Sequence, residues 1–144
     1  MNRLAWLAAG TALLLDLGLI GCGRGGPEIV PIEGTVTHNG KPVPNLRVYF
    51  FPTEGRFSWG ISDEQGRFSL SYDPDHRGAK VGTHTISVVD ESANVHPTAA
   101  MSGAPRPKRA PDTAEILAKY GDRQTSPLKV EVTKADKNFQ FKLD

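Results

Sequence analysis

The chain has 144 residues, the length of one domain, and its 17 Lys+Arg stand against 16 Asp+Glu. This near balance excludes the strongly basic footprint of a general nucleic-acid binder. A single cysteine excludes an intramolecular disulfide framework and a cysteine-based zinc cluster, while 15 glycines, 11 prolines and only 8% aromatic residues suit short strands and many turns better than a helical bundle.

In chain order, Met1-Asn2-Arg3 is a short positive start. Leu4 to Ile20 is then an apolar stretch, interrupted by Asp16, and Gly21-Cys22-Gly23 opens polar sequence. This is the layout of a secretory signal. It falls short of the ~20 apolar residues that a membrane-spanning helix needs. Gly23 to Pro27 reads as a flexible tether.

From Ile29 the pattern becomes period-two alternation, the mark of half-buried strands. Ile32, Gly34 and Val36 share one face of a first strand, and Asn39-Gly40 is a hairpin signal because both residues tolerate positive φ. Leu46, Val48 and Phe50 give the inward face of a second strand, which Pro52 ends. Phe57, Trp59 and Ile61 alternate in a third and are expected to point into the core. Asp63-Glu64-Gln65-Gly66 is a turn, and Phe68, Leu70 and Tyr72 follow in a fourth strand. Asp73-Pro74-Asp75 breaks it, and Gly82 to Val89 is a fifth, with His84, Ile86 and Val88 in phase.

Asp90 to Ala110 has no apolar period, which is long for an unstructured loop in a compact domain. Pro111-Asp112-Thr113 opens a short helix, Ala114 to Tyr120, stopped by Gly121. Leu128, Val130 and Val132 form a sixth strand, and Phe139, Phe141 and Leu143 the last. The expected fold is an all-β, seven-stranded sandwich with one long loop and a short helix before the last two strands.

Two resemblances refine this reading. Leu19-Ile20-Gly21-Cys22 resembles the lipobox of bacterial lipoproteins. The resemblance implies cleavage between Gly21 and Cys22 and acylation of the Cys22 sulfur; Asp16 in the apolar stretch departs from the pattern. The alternative is a plain secretory signal, or an uncleaved N-terminal helix, with an incidental cysteine. The chain then divides into a signal peptide, 1–21, an acylated cysteine with its tether, 22–28, and a folded domain, 29–144. That domain resembles the carboxypeptidase-regulatory-like, transthyretin-like family of Ig-like sandwiches. Gly34-Thr35-Val36, Asn39-Gly40-Lys41-Pro42-Val43, Val48, Asp63-Glu64-Gln65-Gly66-Arg67-Phe68 and Gly82 carry this likeness. Lys119-Tyr120-Gly121-Asp122, Thr125-Ser126-Pro127-Leu128 and Val130-Glu131-Val132 are similar to the C-terminal part of small exported lipoproteins with this domain. These motifs serve turns and core, so they imply fold more than activity.

No residue cluster reads as catalytic. His38, His76, His84 and His96 lack the i, i+2 or i, i+4 spacing of metal ligands, so no metal or other cofactor is expected. Asp73-Pro74-Asp75-His76 reads as a solvated turn, since calcium needs six to eight oxygens. Ser58, Ser62, Ser69 and Ser71 sit on strand faces, and there is no G-x-S-x-G elbow or P-loop. The transthyretin-like group includes a hydrolase marked by a C-terminal Tyr-Arg-Gly-Ser, whereas this chain ends Gln140-Phe141-Lys142-Leu143-Asp144.

Arg106, Lys108 and Arg109 form a proline-spaced basic cluster, read either as a contact for lipid headgroups or as a solvated loop. Tyr49, Phe51 and Val89 are apolar positions on otherwise polar faces, read either as a binding patch or as a surface covered by residues 91–125. The expected function is a non-enzymatic lipoprotein of the bacterial cell envelope, anchored by its lipid. Its sandwich would serve as a structural or protein-interaction module, through edge strands that accept a partner's strand. One alternative is a cell-wall glycan binder stacking sugars on Trp59, Tyr49 and Tyr72; another is an accessory domain of an envelope enzyme.

Overall fold

The computed structural model describes residues 25–94, 103, 105 and 109–144. The expected signal peptide, Gly21, Cys22, His96, Arg106 and Lys108 lie outside the described residues. The strands are β1 (Ile29–Val30), β2 (Ile32–His38), β3 (Lys41–Pro42), β4 (Leu46–Pro52), β5 (Ser58–Ile61), β6 (Arg67–Ser69), β7 (Ala79–Lys80) and β8 (Gly82–Asp90). A 3₁₀ turn, Glu91–Ala93, follows β8. Helix α1 (Thr113–Tyr120) and strands β9 (Lys129–Val132) and β10 (Asp136–Lys142) complete the described elements.

Two four-stranded sheets form an all-β sandwich. One has the order β10-β2-β3, with β6 also on β2; the other runs β5-β4-β8-β9. β10 lies parallel to β2, and the other ladders are antiparallel. β1 and β7 make a small separate ribbon. Rings from both layers meet in the middle, with Phe50 of β4 6.1 Å from Phe139 and 6.4 Å from Phe141 of β10. Around them Val36, Leu46, Val48, Ile86 and Val88 are buried.

Ten strands are described where the sequence predicts seven. The additional β1, β3 and β7 have two residues each, too short for any period to show in sequence. The fourth strand is also shorter than expected. β6 stops at Ser69, and Ser71 instead makes single bridges to Trp59 and Arg77. The Asn39-Gly40 hairpin is present: both residues have positive φ, 49° and 74°, and His38 pairs with Lys41 across them. The helix is present too, with Ile116 and Tyr120 buried one turn apart on one face.

The main correction concerns β5. Phe57, Trp59 and Ile61 do not enter the core but are 39%, 36% and 41% exposed. Ser58, Gly60 and Ser62 face inward instead. The reason is space. Trp59 N–H donates to Ser71 O at 3.0 Å and Ser71 N–H to Trp59 O at 2.8 Å, so β5 is stitched directly to the chain that follows β6. At this seam a methyl group on Gly60 would lie 2.4 Å from the Ser69 carbonyl oxygen. No large side chain fits there. Ser62 supplies the polar complement: its hydroxyl accepts from Leu46 N–H at 2.9 Å and donates to Val43 O at 2.7 Å.

Gly60→Ala is expected to force the seam apart and destabilise the fold by about 1–3 kcal/mol, the usual effect of overpacking. Trp59→Phe, which keeps a ring on the outer face beneath Arg47, is expected to stay within about 0.5 kcal/mol of wild type. Urea-unfolding midpoints at unchanged m measure both, and the reverse order would return Trp59 to the core.

Candidate functional site

The alternation that sends small residues inward on β5 sends its large apolar residues outward, beside those of β4. Cross-strand register sets the rows. Ile61 lies opposite Arg47, which lies opposite Val89 of β8. Trp59 lies opposite Tyr49, which lies opposite Ser87, and Phe51 faces Thr85. Phe57, just before β5, closes the row.

The rings form a cluster. Tyr49 stacks on Phe51 with centroids 5.6 Å apart, and Phe57 meets both at 5.4 Å. Such offset and edge-on pairs add roughly 0.5–1.5 kcal/mol beyond the area they bury. Two guanidinium groups lie on the rings: Arg47 is 4.8 Å from the Trp59 centroid and Arg123 is 4.6 Å from that of Phe51. Arg47 is fixed from its other side by Glu91, with Nε 2.7 Å from Oε1.

The expected covering of Tyr49, Phe51 and Val89 by residues 91–125 is therefore partial. Glu91 and Arg123 come from that segment and reach the face, and Tyr49 and Phe51 are half-buried. Val89 stays 36% exposed, and so do the large residues of β5. Tyr72, the third stacking candidate, lies one residue past the Ser71 bridge and donates its N–H to His76 O at 2.9 Å. Sequence periodicity missed Phe57, Trp59 and Ile61 as surface residues. The signal was present in the alternate Ser58-Gly60-Ser62 set, because a glycine inside a strand marks close approach of another backbone.

The other candidates occupy separate places. His84 is fully buried, packs its ring 5.8 Å from that of Phe50 and donates Nε2–H to Lys80 O at 2.7 Å. His38 is buried and donates from Nδ1 to the Leu143 carbonyl, while its Nε2 accepts from Asn39 Nδ2 at 3.0 Å. Arg109 sets Nε 2.9 Å from Asp90 Oδ2. Among the described residues, no three His, Cys, Asp or Glu side chains are grouped to hold a metal ion.

Of the serines expected on strand faces, Ser71 donates its hydroxyl to the Asp73 backbone carbonyl at 2.9 Å, while His84 is held by Lys80 O. The Asp73 carboxylate closes its own turn, accepting from Asp75 N–H at 3.0 Å, His76 N–H at 2.7 Å and His76 Nδ1 at 2.8 Å. Partial desolvation would raise its pKa. The hydrogen bonds from His76 and Asp75, together with the charge of His76, outweigh that and hold it below the ordinary 3.8. A lowered carboxylate pKa stabilises the fold above the ordinary value, and that contribution is lost as pH falls through the lowered one. Asp73→Asn is therefore expected to lower the melting temperature at pH 6. The difference from wild type should shrink below pH 3.8. A difference independent of pH in a thermal melt series would show that the turn does not depend on the carboxylate's charge.

Compared with protein-family models, curated proteins and solved structures, the chain matches none.

Proposed function

We propose that this protein is an envelope lipoprotein held to a membrane by acyl chains on Cys22, and that its sandwich is a non-enzymatic structural and interaction module of the transthyretin-like class. The observation that carries the interaction role is the outer face of β4 and β5. There Phe57, Trp59 and Ile61 stand exposed together, beside Tyr49 and Phe51. Soluble domains seldom leave such a patch without a use.

Two further observations support the reading. The apolar run Leu4 to Ile20 ends at Gly21-Cys22, and the residues between the cysteine and β1 are rich in glycine, with 25–28 exposed. The residues that carry the family likeness lie in strands and turns. Gly34-Thr35-Val36 lies in β2, Asn39-Gly40 turns β2 into β3, and Asp63-Glu64-Gln65-Gly66 joins β5 to β6. In that turn Asp63 Oδ1 accepts from Gln65 N–H at 2.9 Å and Arg67 N–H at 2.8 Å.

A glycan-binding role is the second reading, favoured by the exposure of Trp59 beside Tyr49. Arg47 over the Trp59 ring, and the packing of Tyr49 on Phe51 and Phe57, leave fewer open ring faces for a sugar.

Metabolic labelling with palmitate tests the anchor. The wild-type chain is expected to take the label and sediment with membranes, and Cys22→Ser to lose both properties. A wild-type chain that is unlabelled and free in the medium would overturn the reading.

A further inference from the structure

One end of the aromatic face lies where the chain departs toward residue 22. The Glu28 carbonyl accepts from Val81 N–H at 2.9 Å, one residue before β8 begins. Thr53 N–H donates to Thr83 O at 3.3 Å, and Lys80 Nζ donates to Glu54 O at 3.1 Å. The chain's exit thus sits beside the Pro52–Glu54 segment, next to Phe51. Fully extended, the residues from Cys22 to Glu28 span at most about 20 Å. An anchor at Cys22 holds this end of the sandwich close to the bilayer on every molecule.

The chemistry of the face fits that neighbour. Tryptophan and tyrosine favour the layer between hydrocarbon and water, where one part of the ring is apolar and another polar. Arg123 lies over Phe51, Arg56 is exposed next to Phe57, and Lys129 is exposed on β9 opposite Thr85. Glu131, opposite Thr83, is the carboxylate on the same side of β9. Arg47 is neutralised by Glu91 and adds no net charge.

We propose that the partner of this face is the surface of an anionic bilayer, with Phe57, Phe51 and Trp59 entering the headgroup layer and Arg56 and Arg123 meeting lipid phosphates. The inference rests on the reading of Cys22 as the anchor point. A protein or a second copy would also cover an apolar patch, but the short chain to Cys22 brings the membrane within reach first.

Trp59 is its own reporter. The chain has 2 tryptophans, and the other is Trp6 in the leader, so Trp6→Phe leaves Trp59 alone whether or not the leader is removed. The full-length Trp6→Phe protein is purified from membranes and its acyl mass is read by mass spectrometry. It is then reconstituted in vesicles of phosphatidylglycerol and phosphatidylcholine with brominated acyl chains. Trp59 emission is expected to be quenched by bromine placed near the headgroups and shielded from aqueous iodide. Arg123→Ser should lower the ratio of docked to undocked molecules about fivefold, as removal of one charge near an anionic surface does. Phe57→Ser should lower it too, with far-UV circular dichroism unchanged in both variants.

An acylated protein whose Trp59 is open to iodide and insensitive to bromine overturns the contact and leaves the anchor standing. A protein without acyl mass overturns the anchor, and bromine quenching in added vesicles then upholds or sinks the face by itself. Shielding of Trp59 in native membranes but not in vesicles marks a protein partner and overturns the proposal.

Discussion

The phase of β5 depends on the close passage of Gly60 by the Ser69 carbonyl. Because a single methyl group would come within 2.4 Å of that oxygen, the inward side of β5 is limited to Ser58, Gly60 and Ser62. Strand geometry then leaves no choice for the neighbours. Side chains alternate with period two, so Phe57, Trp59 and Ile61 must stand on the opposite side. The aromatic face is the geometric consequence of a tight seam. Ser62 pairs Leu46 N–H and Val43 O, whose loss would cost more than the bonds return in water.

Leu143 and Asp144 tie the turn after β2 to the helix. Leu143 N–H donates to Thr37 O at 2.8 Å, and the neighbouring His38 ring holds the Leu143 carbonyl. Asn39 N–H donates to Asp144 Oδ1 at 3.0 Å, and Lys119 and Tyr120 of α1 both donate to the Asp144 backbone oxygen. A parallel β10–β2 pair cannot be made by a hairpin, so it depends on contacts between residues far apart in sequence. These contacts join the helix, the first long strand and the last into one body. They also remove His38 from solvent and tie its ring to a backbone carbonyl.

Much of this was legible in the residues. The alternation of Leu46, Val48 and Phe50, and of Ile86 and Val88, reports two-sided strands directly, and Asn39-Gly40 and Asp63–Gly66 name their turns. The helix Thr113–Tyr120 shows through Ile116 and Tyr120. Two-residue strands such as Lys41–Pro42 carry no period and are defined only by the neighbour they pair with. The phase of β5 was open for a different reason. Both of its faces are self-consistent, one large and apolar, one small. Hydrophobicity favours burying the first, whereas packing density, a tertiary quantity, demands the second. The candidate site was hidden by the same ambiguity, since its exposed residues are those that hydrophobicity assigns to the core.

On the proposed reading, the face need not bind tightly to act. A tether of about 20 Å makes docking an intramolecular event, with an effective concentration in the millimolar range. A surface with an intrinsic Kd of about 1 mM, equivalent to about −4 kcal/mol, would then be docked roughly half the time. Two guanidinium groups near anionic lipid supply about 1 kcal/mol each, and one interfacial ring cluster is enough for the remainder. Such a balance leaves the module able to lift off. On this reading the acyl chains would fix where the protein is, and the aromatic face would set how the sandwich lies, hence which of its edges point away from the membrane.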